Sequence, residues 1–224
     1  MKFEHTEVMN FEGALRGMRN PMNSWAKGDS KITWRYGEQP FYEIGPNDMD
    51  LAKRLIASGT EHSKFLRQIM VSVDITAPLY WWKEFDTYKV GTTANSTSTM
   101  HKLASTPITL DCFEIGDYDD SLEAFEFVYD GDKTDKMPMD IFVSDLIADL
   151  EALRQKYNET KDKRYWKELI RWLPNGWLQT RTITMNYENL RSMYHQREHH
   201  KLTEWHSFCD WVKTLPYAQE FIID

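Results

Sequence analysis

Cysteine is scarce in this chain of 224 residues, which holds only Cys112 and Cys209. Two thiols build neither a disulfide framework nor a four-thiolate metal site, and they suit a reducing compartment. Basic excess is also missing. Lys and Arg number 27 against 35 Asp and Glu, a formal charge of −8, so a protein that coats nucleic acid is excluded while a local basic pocket for one small anion is not. No uncharged apolar run approaches the roughly 18–20 residues that span a bilayer. The start, Met1-Lys2-Phe3-Glu4-His5-Thr6-Glu7, has no apolar signal core. The expectation is a cytoplasmic protein that meets neither membrane nor nucleic-acid polymer. A phosphate-cradling P-loop, a dinucleotide fingerprint and a Gly-x-Ser-x-Gly elbow are all lacking.

Rings, by contrast, are plentiful: nine Trp, eleven Tyr and eleven Phe. Flat side chains serve cores, interfaces and planar ligands alike. Periodicity predicts helices over Phe11–Arg19, Leu79–Tyr88, Met139–Tyr157, Asp162–Leu173, Tyr187–Arg197 and Leu202–Leu215, with Asp48 capping another that runs to Ala57. Pro78 is expected as an early residue of the helix that follows it. Alternating Ile69, Val71, Val73 and Ile75 predict a half-buried strand over Gln68–Ile75, and Thr180–Met185 reads as a second. A shorter strand is expected at Ile32–Tyr36, and Gly91–Ser98 reads as loop or extended chain. The fold class is therefore α+β, mostly helical around a small mixed or antiparallel sheet, in one domain spanning 1–224. The stretch 104–138 gives no clear element beyond a loop.

Three groups of residues carry chemistry. The segment from Lys89 to Lys102 contains Thr93, Asn95, Ser96, Thr97 and Ser98, a set of hydroxyl, amide and ammonium groups that suits a phosphate or a nucleobase edge. Gly91 allows close backbone approach. A polar surface loop has the same composition. Later, Arg181, Arg191 and Arg197 accompany Asn186 and Asn189, and Arg191 shares a helix face with His195. Planar guanidinium groups grip phosphates and carbonyl-bearing rings, although ordinary helix-surface charges look alike. Third, His195-Gln196-Arg197-Glu198-His199 matches the inverted zinc-hydrolase pattern. That pattern requires a third protein ligand, for which Glu204 and His206 are the nearest candidates. The acidic run around Asp117, Asp119, Asp120, Glu123, Glu126 and Asp130 lacks the glycine and spacing of a calcium loop and reads as a solvated face.

Read in order, the first two groups resemble the flavin-dependent thymidylate synthase family over roughly residues 55–213. Gly59, His62 and Ser63 precede the first strand as the family's Gly and His do. Thr93, Asn95 and Ser98 match part of its signature loop. Leu173-Pro174, the strand Thr180–Met185, Asn189-Leu190-Arg191-Ser192 and Arg197 then follow in family order and spacing. The family's Arg-His-Arg triplet is not kept. Depending on the anchor, Tyr88-Lys89-Val90 or Thr87-Tyr88-Lys89 stands there, leaving Lys89 as the sole cation. Ser96 replaces the signature Glu, and the Ala-Gln pair after the final Arg is missing.

The resemblance implies one-carbon transfer from methylene-tetrahydrofolate to C5 of deoxyuridylate, with FAD as cofactor and NADPH as its reductant. It assigns Arg197 and Ser98 to catalysis. Lys89, Thr93, Asn95, Ser96, Thr97, Ser98, Lys102 and Arg197 fall to the nucleotide. His62, Tyr88, Lys89, Asn186, Asn189, Arg191 and His195 fall to the flavin, and no metal is implied. Family members form active sites between subunits of a homotetramer, so a homo-oligomer is expected. The departures leave an alternative: a fold relative that binds nucleotide or flavin as a regulator or interaction protein without the reaction.

Overall fold

A computed structural model describes residues 1–34, 40–129, 131 and 133–224. The chain is an α+β domain, about half helical, with a four-stranded antiparallel sheet. The elements are β1 (Lys2–Met9), α1 (Phe11–Met18), β2 (Lys31–Thr33), β3 (Phe41–Glu43), α2 (Pro46–Ala57), β4 (Met70–Pro78), α3 (Leu79–Phe85), β5 (Thr93–Ser96), α4 (Thr99–Lys102), β6 (Glu123–Tyr129), β7 (Lys133–Pro138), α5 (Met139–Thr160), α6 (Lys163–Arg171), β8 (Leu178–Asn186), α7 (Tyr187–Arg197) and α8 (Thr203–Lys213). Strand order in the main sheet is β1-β4-β8-β5, while β2–β3 and β6–β7 form separate two-stranded ribbons. Two compact units can be described, a larger one of 2–75, 85–95 and 181–224 and a smaller one of 1, 76–84 and 96–180.

The larger unit is built on rings. Ile69, Val71, Val73 and Ile75 are fully buried, as their alternation in the sequence predicts. Phe11 meets Tyr187 edge-on at 5.7 Å and Tyr217 at 5.6 Å, and Phe208 packs between Trp205 and Trp211, each at 5.5 Å. The start of α2 differs from expectation. Asp48 is not its cap: Gly45 holds that position with Pro46 as first helical residue, and the carboxylate of Asp29 accepts the Asn47 and Asp48 N–H groups. Asp48 instead turns inward. Its carboxylate accepts from Arg19 Nε at 2.6 Å and from the Ser30 hydroxyl and the Asp29 and Ser30 amides, with both charged side chains only 5% exposed. Burial alone raises the pKa of Asp48, but these hydrogen bonds outweigh it and leave the carboxyl below its ordinary value.

In the smaller unit α5 packs on α6 around Leu103, Ile108, Leu150 and Leu169. Glu151 ties α5 to the preceding loop by accepting the Ile108 amide at 2.8 Å, while Arg154 and Asn158 donate to the Ala104 carbonyl. Asp162 caps α6 through the Arg164 N–H. Several boundaries move. Pro78 closes β4 rather than opening a helix, because the Leu79 and Tyr80 amides are taken up by the Trp177 and Asn175 carbonyls. Gly91–Ser98 contains a true strand, β5, and the unassigned stretch 104–138 contains the β6–β7 hairpin. Helix α3 stops at Phe85, so Tyr88 lies beyond it. The expected strand Ile32–Tyr36 is seen as Lys31–Thr33, and its Arg35 and Tyr36, like Asp130 of the acidic run, lie outside the described residues.

Candidate functional site

Within the larger unit, the segment after α3 is laid against α7. Tyr88 N–H bonds the Phe85 carbonyl at 3.0 Å, and the Thr92 hydroxyl donates to the Tyr88 carbonyl. Helix α7 begins with a reciprocal cap. Asn189 N–H donates to Asn186 Oδ1 at 2.9 Å, and Asn186 N–H donates to Asn189 Oδ1 at 3.3 Å. The same Asn189 amide donates to the Val90 carbonyl at 2.8 Å. Gly91 makes this possible. It sits at φ +80°, and a Cβ there would lie 2.7 Å from Asn189 Oδ1 and 3.0 Å from Asn186 Nδ2. Val90 and Gly91, at the head of the segment that the sequence marks as hydroxyl-bearing, therefore meet the start of α7.

The other end of α7 places the charge. Arg197 Nε donates to the Tyr88 hydroxyl at 2.7 Å. The guanidinium carbon stands 4.7 Å from the Trp205 ring centre and 5.5 Å from that of Tyr88. Half-buried cations over aromatic faces gain more than exposed ones, because the ring quadrupole is less screened. Tyr88 donates its own proton to Gln196 Oε1 at 3.1 Å, and its ring meets Trp205 edge-on at 6.1 Å. Trp205 is fully buried and backed by Phe208. Trp205 and Gln196 were not singled out in the sequence. An aromatic residue eight positions after Arg197 is a weak signal, and the Tyr88 contact spans 109 residues.

The remaining predicted residues divide. Lys89 is exposed, as are Thr93 and Asn95 on β5, which belong to this unit. Arg191 donates to the main-chain oxygens of Ile222 and Asp224 at 3.1 and 3.2 Å. His195 is exposed, 3.9 Å from Glu198. His62 lines a separate cavity of about 360 Å³ with Met18, Leu55 and Phe65, whose walls include neither Tyr88 nor Arg197. Arg181 pairs with Asp86 at 2.7 Å. In the smaller unit, Thr97 is held through its backbone by Thr180 and Gln179, Ser98 Oγ accepts the His101 amide to cap α4, and Ser96 and Lys102 are exposed. Among the described residues no group of three or more His, Cys, Asp and Glu is placed to hold a metal, so His195 and His199 gain no third ligand there. Burial pushes the Cys209 thiol up to about 11, which leaves it unreactive at neutral pH. No helix among the described residues is long and apolar enough to cross a membrane.

No family model matches the sequence, and no curated protein does. Solved structures do. A flavin-dependent thymidylate synthase from Helicobacter pylori, ThyX, in complex with FAD and dUMP, covers 99% of this chain and 98% of its own at 15% identity, with a TM-score of 0.66. The UMP/dUMP methylase PolB from Streptomyces cacaoi, bound with 5-Br dUMP, covers 98% and 94% at 13% identity, with a TM-score of 0.59. The chain has the flavin-dependent thymidylate synthase fold. Identities this low establish architecture and leave chemistry to the residues.

Judged as donors, those residues suit the ligand class that the resemblance implies. On this ThyX fold, Lys89 offers an ammonium, Thr93 a hydroxyl, Asn95 an amide and His195 an imidazole, all exposed. That set matches phosphate oxygens and the polar edge of a flavin. Asn189 and Arg191 already serve the chain itself, through Val90, Ile222 and Asp224.

Proposed function

We propose that this protein binds a pyrimidine deoxynucleotide of the dUMP type and, with FAD, transfers a one-carbon unit to its C5. The observation that carries the reading is Arg197, held on the rings of Tyr88 and Trp205 at the end of α7, beside the segment that bears Lys89, Thr93 and Asn95. Arg197 is assigned to the pyrimidine carbonyl edge. A fixed positive charge there favours the anionic ring that develops as C5 is alkylated, and it costs no reorganisation at that moment. Lys89, Thr93 and Asn95 are assigned to the phosphate and sugar. By family resemblance alone, Ser96, Thr97, Ser98 and Lys102 take the same nucleotide assignment, and Ser98 and Arg197 a catalytic one. Reduced flavin supplies the hydride, with methylene-tetrahydrofolate and NADPH as co-substrates. Family resemblance alone assigns His62, Tyr88, Asn186, Asn189, Arg191 and His195 to the flavin side, in an active site that family members assemble between subunits; of these, exposed His195 has its ring open to a ligand, while Asn189 and Arg191 are engaged by Val90, Ile222 and Asp224.

A second reading draws on the Tyr88 contact. With either anchor the family triplet keeps a single cation here, Lys89, and includes Tyr88, a phenol hydrogen-bonded to Arg197. A fold relative that binds nucleotide without turning it over fits that loss of charge. The visible spectrum of the purified protein, before and after deoxyuridylate, tests both. Bound flavin absorption that shifts on adding the nucleotide supports the enzyme. A colourless protein whose melting temperature still rises with deoxyuridylate supports the second reading. A colourless protein that ignores the nucleotide ends both.

A further inference from the structure

Arg197 does not depend on a ligand to hold its pose. A long cationic side chain samples many rotamers in water, and binding must then immobilise it. Here its Nε–H is fixed by the Tyr88 oxygen at 2.7 Å, and its guanidinium carbon lies over the Trp205 ring, 4.7 Å from the ring centre. The Tyr88 hydroxyl is itself oriented. Its proton goes to Gln196 Oε1 at 3.1 Å, and Gln196 Nε2 donates to the Ser192 hydroxyl at 2.9 Å. Donors and acceptors run in one direction along this relay, from Arg197 to Tyr88, and from Tyr88 to Gln196, whose other end is anchored on Ser192 one turn back in α7. Each member thereby has a defined rotamer, and the Gln196 amide has a defined flip. Trp205, fully buried, supplies a floor that cannot move aside.

We infer that Tyr88 is a positioning residue: with Trp205 beneath and Gln196 behind its hydroxyl, it sets the plane of the Arg197 guanidinium for the pyrimidine nucleotide. This differs from a stacking role for Tyr88 on a flavin ring, and it rests on the proposal that Arg197 meets the nucleotide. It also gives the phenol at the former triplet position a task of its own.

Tyr88→Phe tests this with little threat to the fold, since the ring and its edge contact to Trp205 remain. Two measurements keep the outcomes apart. The first needs no ligand: the side-chain Nε–H resonance of Arg197, identified by its disappearance in Arg197→Lys, is followed by nitrogen-edited NMR. In Tyr88→Phe it shifts and loses its protection from exchange. An unchanged resonance overturns the inference. The second is a double-mutant cycle on deoxyuridylate affinity by calorimetry. Tyr88→Phe weakens binding about tenfold, the size expected for one hydrogen bond to a charged group. It adds nothing further in an Arg197→Ala background. Additive losses mean that Tyr88 touches a ligand directly, and they overturn the positioning role. If the wild-type protein binds no deoxyuridylate, the proposed function fails, and the NMR result still decides whether Tyr88 orients Arg197.

Discussion

Arg197 in the α7–α8 region of the larger unit and the cations of the α5–α6 region of the smaller one are held in different ways. In α5–α6 the cations pair with neighbours on their own helix. Arg154 meets Glu151, Arg171 meets Glu168 and Lys156 meets Glu159, all three positions apart, around a buried cluster of four aliphatic side chains. Such pairs form from local sequence and contribute little each. In α7–α8, Tyr187, Trp205, Phe208 and Trp211 are buried, and Arg197 reaches out of its helix to a tyrosine 109 residues away. Local pairs need only a helix to exist. A long-range grip on rings needs the whole unit to be folded.

Breaking a long-range contact in the larger unit is therefore expected to cost far more than breaking a local pair in α5–α6. The largest effect belongs to Asp48→Ala. It strands the buried Arg19 guanidinium, which already has one Nη atom without a partner. A loss of about 3–5 kcal/mol in urea unfolding is expected, the usual result of removing one member of a buried ion pair. A loss under about 1 kcal/mol would place this pair with the surface bridges. Next comes Arg197→Ala. The fold is expected to survive, while deoxyuridylate affinity falls about a hundredfold, roughly 2.8 kcal/mol. Calorimetry that returns an unchanged dissociation constant removes Arg197 from the site.

Much of this was legible in the sequence, and the failures have physical causes. The sequence predicts helix α7 over Tyr187–Arg197, its observed bounds, and the structure shows a sharp start there, where Asn186 and Asn189 cap it reciprocally. Strand β1 has no apolar alternation in its sequence: His5 adopts φ +53°, and the half-buried Phe3 and Val8 on either side of it are out of step. Strand β5, Thr-Ala-Asn-Ser, has every side chain exposed, so no apolar period exists to find. Asp48 looked like a helix cap because its side chain type is right, yet burial with Arg19 claimed it. At the candidate site the residue types were legible and the partners were not. Arg197 and Tyr88 were each singled out, for nucleotide and flavin respectively, but no spacing rule joins positions so distant. Trp205 gave no signal beyond being a tryptophan in a helix.

Gly91 tests the start of α7 as Arg197 tests its end. Gly91→Ala forces a side chain into the left-handed region and against the two capping amides, so about 1–3 kcal/mol of stability is lost. Nucleotide affinity should fall with it, since Val90 and Tyr88 ride on the same turn. Retained stability would mean that the turn relaxes without cost and that its hold on Asn189 is incidental.

The smallest effect is expected at Glu151. Hydrogen bonds from Arg154 lead the causes that bring its carboxyl down to about 2 from an ordinary 4.5, against the opposing effect of burial. A carboxyl depressed on folding stabilises the native state above its unfolded pKa, and that contribution is lost as pH falls from about 4.5 through about 2. Glu151→Gln should therefore flatten the acid limb of the stability curve in that window. At pH 7 it should change the melting temperature less than Gly91→Ala does, because its partners Arg154 and Gln155 are partly solvated. An amide can still accept the Ile108 N–H, so the anchoring of the loop on α5 persists in the variant. If Glu151→Gln unfolds the protein at neutral pH, the α5–α6 charges are not mere local pairs, and the contrast between the two regions disappears.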